Sequence, residues 1–197
     1  MILPGTIPRE LDDKVRNELE SGERILWMEQ PIPRYFTTAS TGFFLFGIPW
    51  TAFAVFWICG ACGFKLPDFS KGMAELLFPL FGVPFVLIGF IMLSVPLWRY
   101  RKAFRTVYVI TDRRAITFET GWKKTITIRS YPPAKLQNIF RKENRDGTGD
   151  VILRQHSYSD SEGGQYSTEY GFMNIRNPKA VEDMLKKLAA QAVETRQ

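Results

Sequence analysis

The sequence predicts a membrane protein: a two-helix transmembrane hairpin plus a small, mainly-β domain capped by a C-terminal helix. Three observations predict it: two long uncharged apolar runs, a series of short β-branched segments divided by turn formers, and one amphipathic stripe near the end. The runs are Tyr35 to Phe64, 30 positions, and Leu76 to Trp98, 23 positions. A helix rises about 1.5 Å per residue and a bilayer core is about 30 Å thick, so about 20 apolar residues cross it. Helices buried in soluble proteins are usually shorter and carry polar residues, which favours the membrane. The spans are placed at about 42–63 and 76–98. Lys65 to Glu75 between them suits a turn outside the lipid.

Both runs hold Gly and Pro: Gly42, Gly47, Pro49, Gly60 and Gly63 in the first, Pro79, Gly82, Pro84, Gly89 and Pro96 in the second. Neighbouring helices can satisfy the backbone groups these residues free. Small residues let helix backbones approach, so Gly82 and Gly89, seven apart, are expected to face the partner helix. The many phenylalanines fit a lipid-facing surface. Trp98 and Tyr100, set among Arg99, Arg101 and Lys102, read as an aromatic and basic anchor.

A mean hydropathy of −0.13 averages these oily segments with a polar remainder. The charge of that remainder is uneven. Residues 1–40 carry 5 Lys/Arg against 7 Asp/Glu, whereas residues 99–197 carry 19 against 11, so the basic character lies in the C-terminal part. The side richer in Lys and Arg stays cytoplasmic. Arg24 and Arg34 precede the first span and Arg99, Arg101, Lys102, Arg105, Arg113 and Arg114 follow the second, while the turn offers Lys65 and Lys71. Both termini are therefore expected in the cytoplasm. Met1 to Glu20 shows no basic region followed by an apolar one, so insertion is expected to rely on the first span.

Before the spans, Leu11, Val15 and Leu19 recur at helical spacing between Pro8 and Gly22. Glu23 to Glu29 is a compact apolar run that suits a strand, closed by Pro31 and Pro33. After the spans the pattern turns to strands. Val107 to Ile110 and Ala115 to Phe118 flank the turn Thr111 to Arg114, and Thr125 to Ile128 follows a reversal at Gly121. Leu136 to Lys142 and Val151 to Gln155 pair across the turn formers Asp146 to Asp150. Ser157 to Glu169 reads as a polar mobile loop, and Gly171 to Ile175 as the last strand. Asn177 then caps a helix with Pro178 at its first position. Val181, Met184, Leu185, Leu188 and Ala192 form its apolar stripe, with Lys179, Glu182, Asp183, Lys186 and Lys187 mostly opposite. The organisation expected is an N-terminal segment 1–34, a hairpin 35–98 and a β-domain 99–197.

The run Thr106-Val107-Tyr108-Val109-Ile110-Thr111-Asp112-Arg113-Arg114-Ala115-Ile116 resembles the signature of bacterial pleckstrin-homology-like domains in membrane-attached proteins. Gly22 to Trp27, Gly147-Thr148-Gly149 and the Asn177-Pro178 helix start match that pattern too, so the resemblance touches about residues 17–190. It implies a split barrel of about seven strands with a C-terminal helix. It also implies a non-enzymatic anchoring or adaptor module of the bacterial inner membrane. The phosphoinositide-binding form of that fold carries a basic Lys-x-n-Arg-x-Arg motif across its first hairpin; this chain departs from it, with only the adjacent Arg113 and Arg114, so specific phosphoinositide binding is not expected.

Residues that could carry chemistry are few. Cys59-Gly60-Ala61-Cys62 has redox or metal spacing, but a structural zinc site needs four ligands and a lipid-embedded thiol has its pKa raised. Packing is the simpler reading. His156 lies near Ser157, Ser159, Asp160 and Ser161 without a nucleophile turn, and Asp146 to Asp150 lacks the remaining residues of a phosphate or calcium loop. No catalytic residue, metal or cofactor is expected. The candidate contacts with anionic lipid or a partner are Arg99, Arg101, Lys102, Arg105, Arg113, Arg114, Lys123 and Lys124. Each cation near an anionic leaflet contributes about 1 kcal/mol. A protein partner or a second copy is expected, with the Gly- and Pro-rich hairpin faces and free strand edges as contacts; nucleic acid and a small-molecule substrate are not. The competing reading is a redox or transport protein acting through Cys59, Cys62 and the spans. Against it, neither span holds an ionisable residue.

Overall fold

The structure is a computed structural model that describes residues 7–64, 79–121, 125–159 and 165–194. It divides into two compact units, Met1–Pro33 with Lys102–Gln197, and Arg34–Arg101. The N-terminal segment, expected to stand apart, thus belongs to the β-domain.

In that first unit, β1 (Ile25–Glu29), β2 (Thr106–Thr111), β3 (Ala115–Thr120) and β4 (Ile126–Tyr131) form an antiparallel sheet in the order β1-β2-β3-β4. A second antiparallel sheet holds β5 (Phe140–Glu143), β6 (Gly149–Ser159) and β7 (Gln165–Ile175) in sequence order. All six residues of β2 are buried, because both faces of its sheet are covered. Side chains alternate across a strand. Val107 and Val109 therefore meet Leu11 and Val15 of helix α1 (Arg9–Glu18), together with Ile116 and Phe118. Tyr108 and Ile110 point the other way, into a core shared with Val151, Phe172 and Ile175 of the second sheet. Tyr108 stacks on Phe172 at 4.9 Å between ring centroids, and Trp27 stacks on the same ring at 5.6 Å.

Helix α4 (Pro178–Glu194) adds Val181, Leu185 and Leu188 to that core. Asn177 caps it as expected, its Oδ1 accepting the Ala180 N–H at 3.2 Å. Glu182 is not on the solvent face. It is buried, with Arg141 Nη1 and Lys186 Nζ each at 2.7 Å. These hydrogen bonds, that from Lys186 above all, outweigh burial and hold its pKa below the usual carboxylate range.

Two expectations for this unit change. The strand expected from Leu136 begins at Phe140, after a 3-10 turn at Pro133–Lys135. The expected polar loop at 157–169 is largely strand, since His156 pairs with Thr168 and Ser159 with Gln165 across β6 and β7. Polar residues conceal such a hairpin, because strands paired beyond the core need no apolar face.

The second unit is an antiparallel helix pair, α2 (Thr38–Ala61) and α3 (Val83–Ala103). Thr37 and Ser40 form a capping box at the start of α2. Gly63 at φ +63° stands just past its end, a conformation that glycine adopts without strain. The helices close on glycine. A Cβ at Gly82 would strike Ile58, one at Gly89 would overlap Thr51 Oγ1, and one at Gly47 would crowd Met92 and Leu93. Trp50 Nε1 also donates to the Phe85 carbonyl at 3.0 Å. Gly82 and Gly89 thus face the partner helix as their spacing predicts.

The regular second helix starts later than the span expected at 76–98 and continues through Arg99, Arg101 and Lys102. Charge ends an apolar run without ending a helix, since Arg and Lys are good helix formers. Residues 76–78 of that expected span lie outside the described residues. Ser40–Ala61 and Val83–Ala103 have mean hydropathies of 1.8 and 1.6 and are long and apolar enough to cross a membrane.

Candidate functional site

The turn Thr111-Asp112-Arg113-Arg114 is organised by a carboxylate from the other end of the chain. Glu23 is buried, and its carboxylate receives Arg114 Nε and Nη2, each at 3.0 Å, in a two-pronged ion pair. Thr111 Oγ1 donates to Glu23 Oε1 at 2.7 Å, and the Glu20 N–H donates to Oε2 at 2.8 Å. Burial pushes the Glu23 pKa up, but the Arg114 fork, these two donors and the Arg114 charge outweigh it and bring it down to about 2. Arg113 Nη1 reaches Glu20 at 3.0 Å, and Arg114 Nη2 also donates to the Glu18 carbonyl. Asp112 Oδ1 accepts the Arg24 N–H at 3.0 Å.

The two short sequence patterns, Gly22-Glu23-Arg24 and Thr111 to Arg114, are therefore halves of one latch. Of the two arginines expected to meet lipid or a partner, Arg114 is held inside this latch. Arg113 is half exposed beside it, paired with Glu20.

The remaining candidates are dispersed. Arg99, Arg101 and Arg105 are exposed and make no ion pair among the described residues. Lys102 pairs with Glu119 at 3.1 Å. Lys123 and Lys124 lie outside the described residues. Cys59 is exposed near the end of α2, and Cys62 is its partly buried C-cap, with both thiols free. Asp146 to Asp150 turns the chain between β5 and β6, with Gly147 at φ +77° and the Thr148 N–H donating to Asp146 Oδ1 at 3.1 Å.

The structure assembles a cluster that sequence reading missed. A cleft of about 410 Å³ opens at one end of the space between the sheets, lined by Arg129, Ser130 and Tyr131 of β4, Lys135, Arg154 and His156 of β6, and Tyr170 of β7. A register shift between Ile152 and Arg154 builds it. Val151 and Leu153 lie in the core, so strict alternation would turn Arg154 and His156 away from it; the extra residue of the bulge brings them back to the cleft. Gly171 lies opposite the bulge, where a Cβ would collide with the Val151 carbonyl. Arg129 lies over the Tyr170 ring at 5.2 Å and pairs with Glu119 at 3.1 Å. The sequence traces of this cluster are Arg129-x-Tyr131 and Arg154-x-His156, alternations that a strand places on one face.

A scan against protein-family models matches no family, and searches of curated proteins and of solved structures match no protein.

Proposed function

We propose that this chain is a non-enzymatic, membrane-anchored binding module of the pleckstrin-homology-like kind, holding its basic β-domain at the cytoplasmic face of a bacterial inner membrane. The observation that carries the reading is where the apolar segment is inserted. Arg34–Arg101 interrupts one β-domain between β1 and β2, two strands that pair directly, with Glu29 opposite Tyr108. Both ends of the helix pair therefore return to the same folded unit, so a crossing by α2 must be reversed by α3.

Exposure supports the membrane. Phe43, Phe46, Phe53, Phe56, Phe90 and Ile91 are each more than half exposed. Apolar side chains displayed so continuously in water mark an interface or a membrane-facing surface. A four-plus-three strand arrangement with a C-terminal helix fits the fold that the Thr106–Ile116 resemblance implies.

The module works by attachment and docking. Arg99, Arg101 and Arg105 supply cations for an anionic leaflet. Of the hairpin glycines, Gly47, Gly82 and Gly89 are used between α2 and α3, so contacts with another membrane protein fall to the aromatic outer faces and to Gly42 and Gly60, which have open space beside them. Crosslinking in native membranes, followed by detergent purification and mass spectrometry, tests the adaptor reading. A partner or second copy crosslinked in stoichiometric amount supports it, and a monomer recovered alone contradicts it.

A further inference from the structure

The cleft between the sheets collects positive charge without collecting its counterions. Arg129, Lys135 and Arg154 line it with His156, and among the described residues no carboxylate does. Glu119 reaches Arg129 from outside, but its other oxygen is engaged by Lys102. Lys135 and Arg154 are exposed and have no ion-pair partner among the described residues. Cations gathered in a concave site with protein walls repel one another and focus a positive potential into it, so an anion is favoured there. Tyr131 and Tyr170 line it beside the charges, each with a neutral phenol hydroxyl. The planar fork of an arginine matches two oxygens of a phosphate, while a lysine acts as a point charge. The volume of about 410 Å³ lies in the range of small-ligand pockets.

We infer that this cleft binds a phosphate monoester, with Lys135 and Arg154 as its principal contacts and Arg129, braced on Tyr170, as a third. The site lies wholly within the β-domain and does not depend on the membrane reading. The ligand is either a soluble organic phosphate or a phosphomonoester lipid head group, and the shared chemistry is the dianionic terminal phosphate.

The test uses the full chain in nanodiscs. With phosphatidylcholine alone, glycerol 3-phosphate is titrated by calorimetry. With phosphatidic acid included, the His156 ring resonances are followed by NMR. Saturable binding of glycerol 3-phosphate identifies the soluble source, and a shift of the His156 signals only with phosphatidic acid identifies the lipid. Lys135→Gln with Arg154→Gln lowers the affinity or abolishes the shift, at least tenfold, while Lys135→Arg with Arg154→Lys keeps most of it. Amide exchange of β6 and β7 distinguishes a lost contact from a lost fold. No response to either phosphate, or a response that the folded double glutamine variant retains in full, overturns the inference.

Discussion

The two units of this chain handle apolar side chains in opposite ways. In the β-domain, Phe118 and Phe172 are fully buried; in the helix pair, Phe53 is 68 % and Phe56 63 % exposed. The β-domain is stabilised by removing apolar surface from water, which contributes roughly 25 cal/mol per Å². The helix pair leaves most of its apolar surface outward and holds together through close approach at Gly47, Gly82 and Gly89 and the Trp50 indole hydrogen bond. Such packing suits a solvent as apolar as the side chains, where burying them against each other yields little. The difference predicts that the two units respond to different mutations.

The largest expected effect comes from cutting the chain where the sequence changes character. A fragment of residues 103–197 lacks β1 and α1, leaving β2 with an unpaired edge and Val107 and Val109 uncovered. It is expected to show no cooperative unfolding. Joining residues 7–33 to 102–197 through a short glycine-serine linker restores both elements, and this chain is expected to fold in water without detergent. Thermal unfolding followed by circular dichroism compares the two. Equal cooperativity would show that the N-terminal segment is dispensable.

Next in size is a paired comparison of phenylalanines. Phe172→Ala removes the ring that Trp27 and Tyr108 stack on and is expected to cost about 3–5 kcal/mol of β-domain stability. Phe53→Ala changes that stability by less than about 0.5 kcal/mol, as an exposed position remote from core packing should. Denaturant unfolding of the full chain, reported by the Trp27 environment, measures both.

The Glu23 latch predicts a pH dependence. Its folded pKa of about 2 lies below the ordinary value of 4.5, so its contribution is fully present above about pH 4.5 and is lost as pH falls towards 2. The size is on the order of 3 kcal/mol at neutral pH. Glu23→Gln is expected to be less stable than the native chain at pH 7, with the gap closing as the pH falls through this window. A constant gap between pH 7 and pH 2 would mean that the carboxylate charge contributes nothing.

A smaller effect is expected from Gly89→Val. The added side chain overlaps Thr51 and forces α2 and α3 apart, at a cost typical of overpacking, about 1–3 kcal/mol, confined to the helix pair. Crosslinking yield between cysteines placed at positions 47 and 92 should fall, while β-domain unfolding stays unchanged. A loss of β-domain stability instead would mean that the two units are energetically coupled.

Local signals in the chain were readable, and distant pairings were not. Asn177-Pro178 announces α4, Gly82 and Gly89 announce the helix contact, and Thr111 to Arg114 announces a turn, because each rests on residues a few positions apart. The pairing of β1 with β2 leaves no such trace. Glu23 and Arg114 are 91 positions apart, with the whole helix pair between them, so the two arginines look like free surface charge in the sequence. The phosphate cleft is hidden for the same reason and one more. Arg129, Lys135 and the Arg154–His156 pair come from three separate parts of the chain, and the β6 bulge that aims that pair inward breaks the alternation by which strand faces are read.

The central claim is that α2 and α3 carry the chain across a membrane and back, leaving the β-domain on the cytoplasmic side. Single cysteines test it most directly, introduced as Ser70→Cys between the helices and Arg145→Cys in the β-domain, with Cys59→Ala and Cys62→Ala in both. A membrane-impermeant maleimide applied to intact cells is expected to label the cysteine at position 70 and to reach position 145 only after lysis. Labelling of both before lysis, or labelling at 145 but not at 70, would contradict the account.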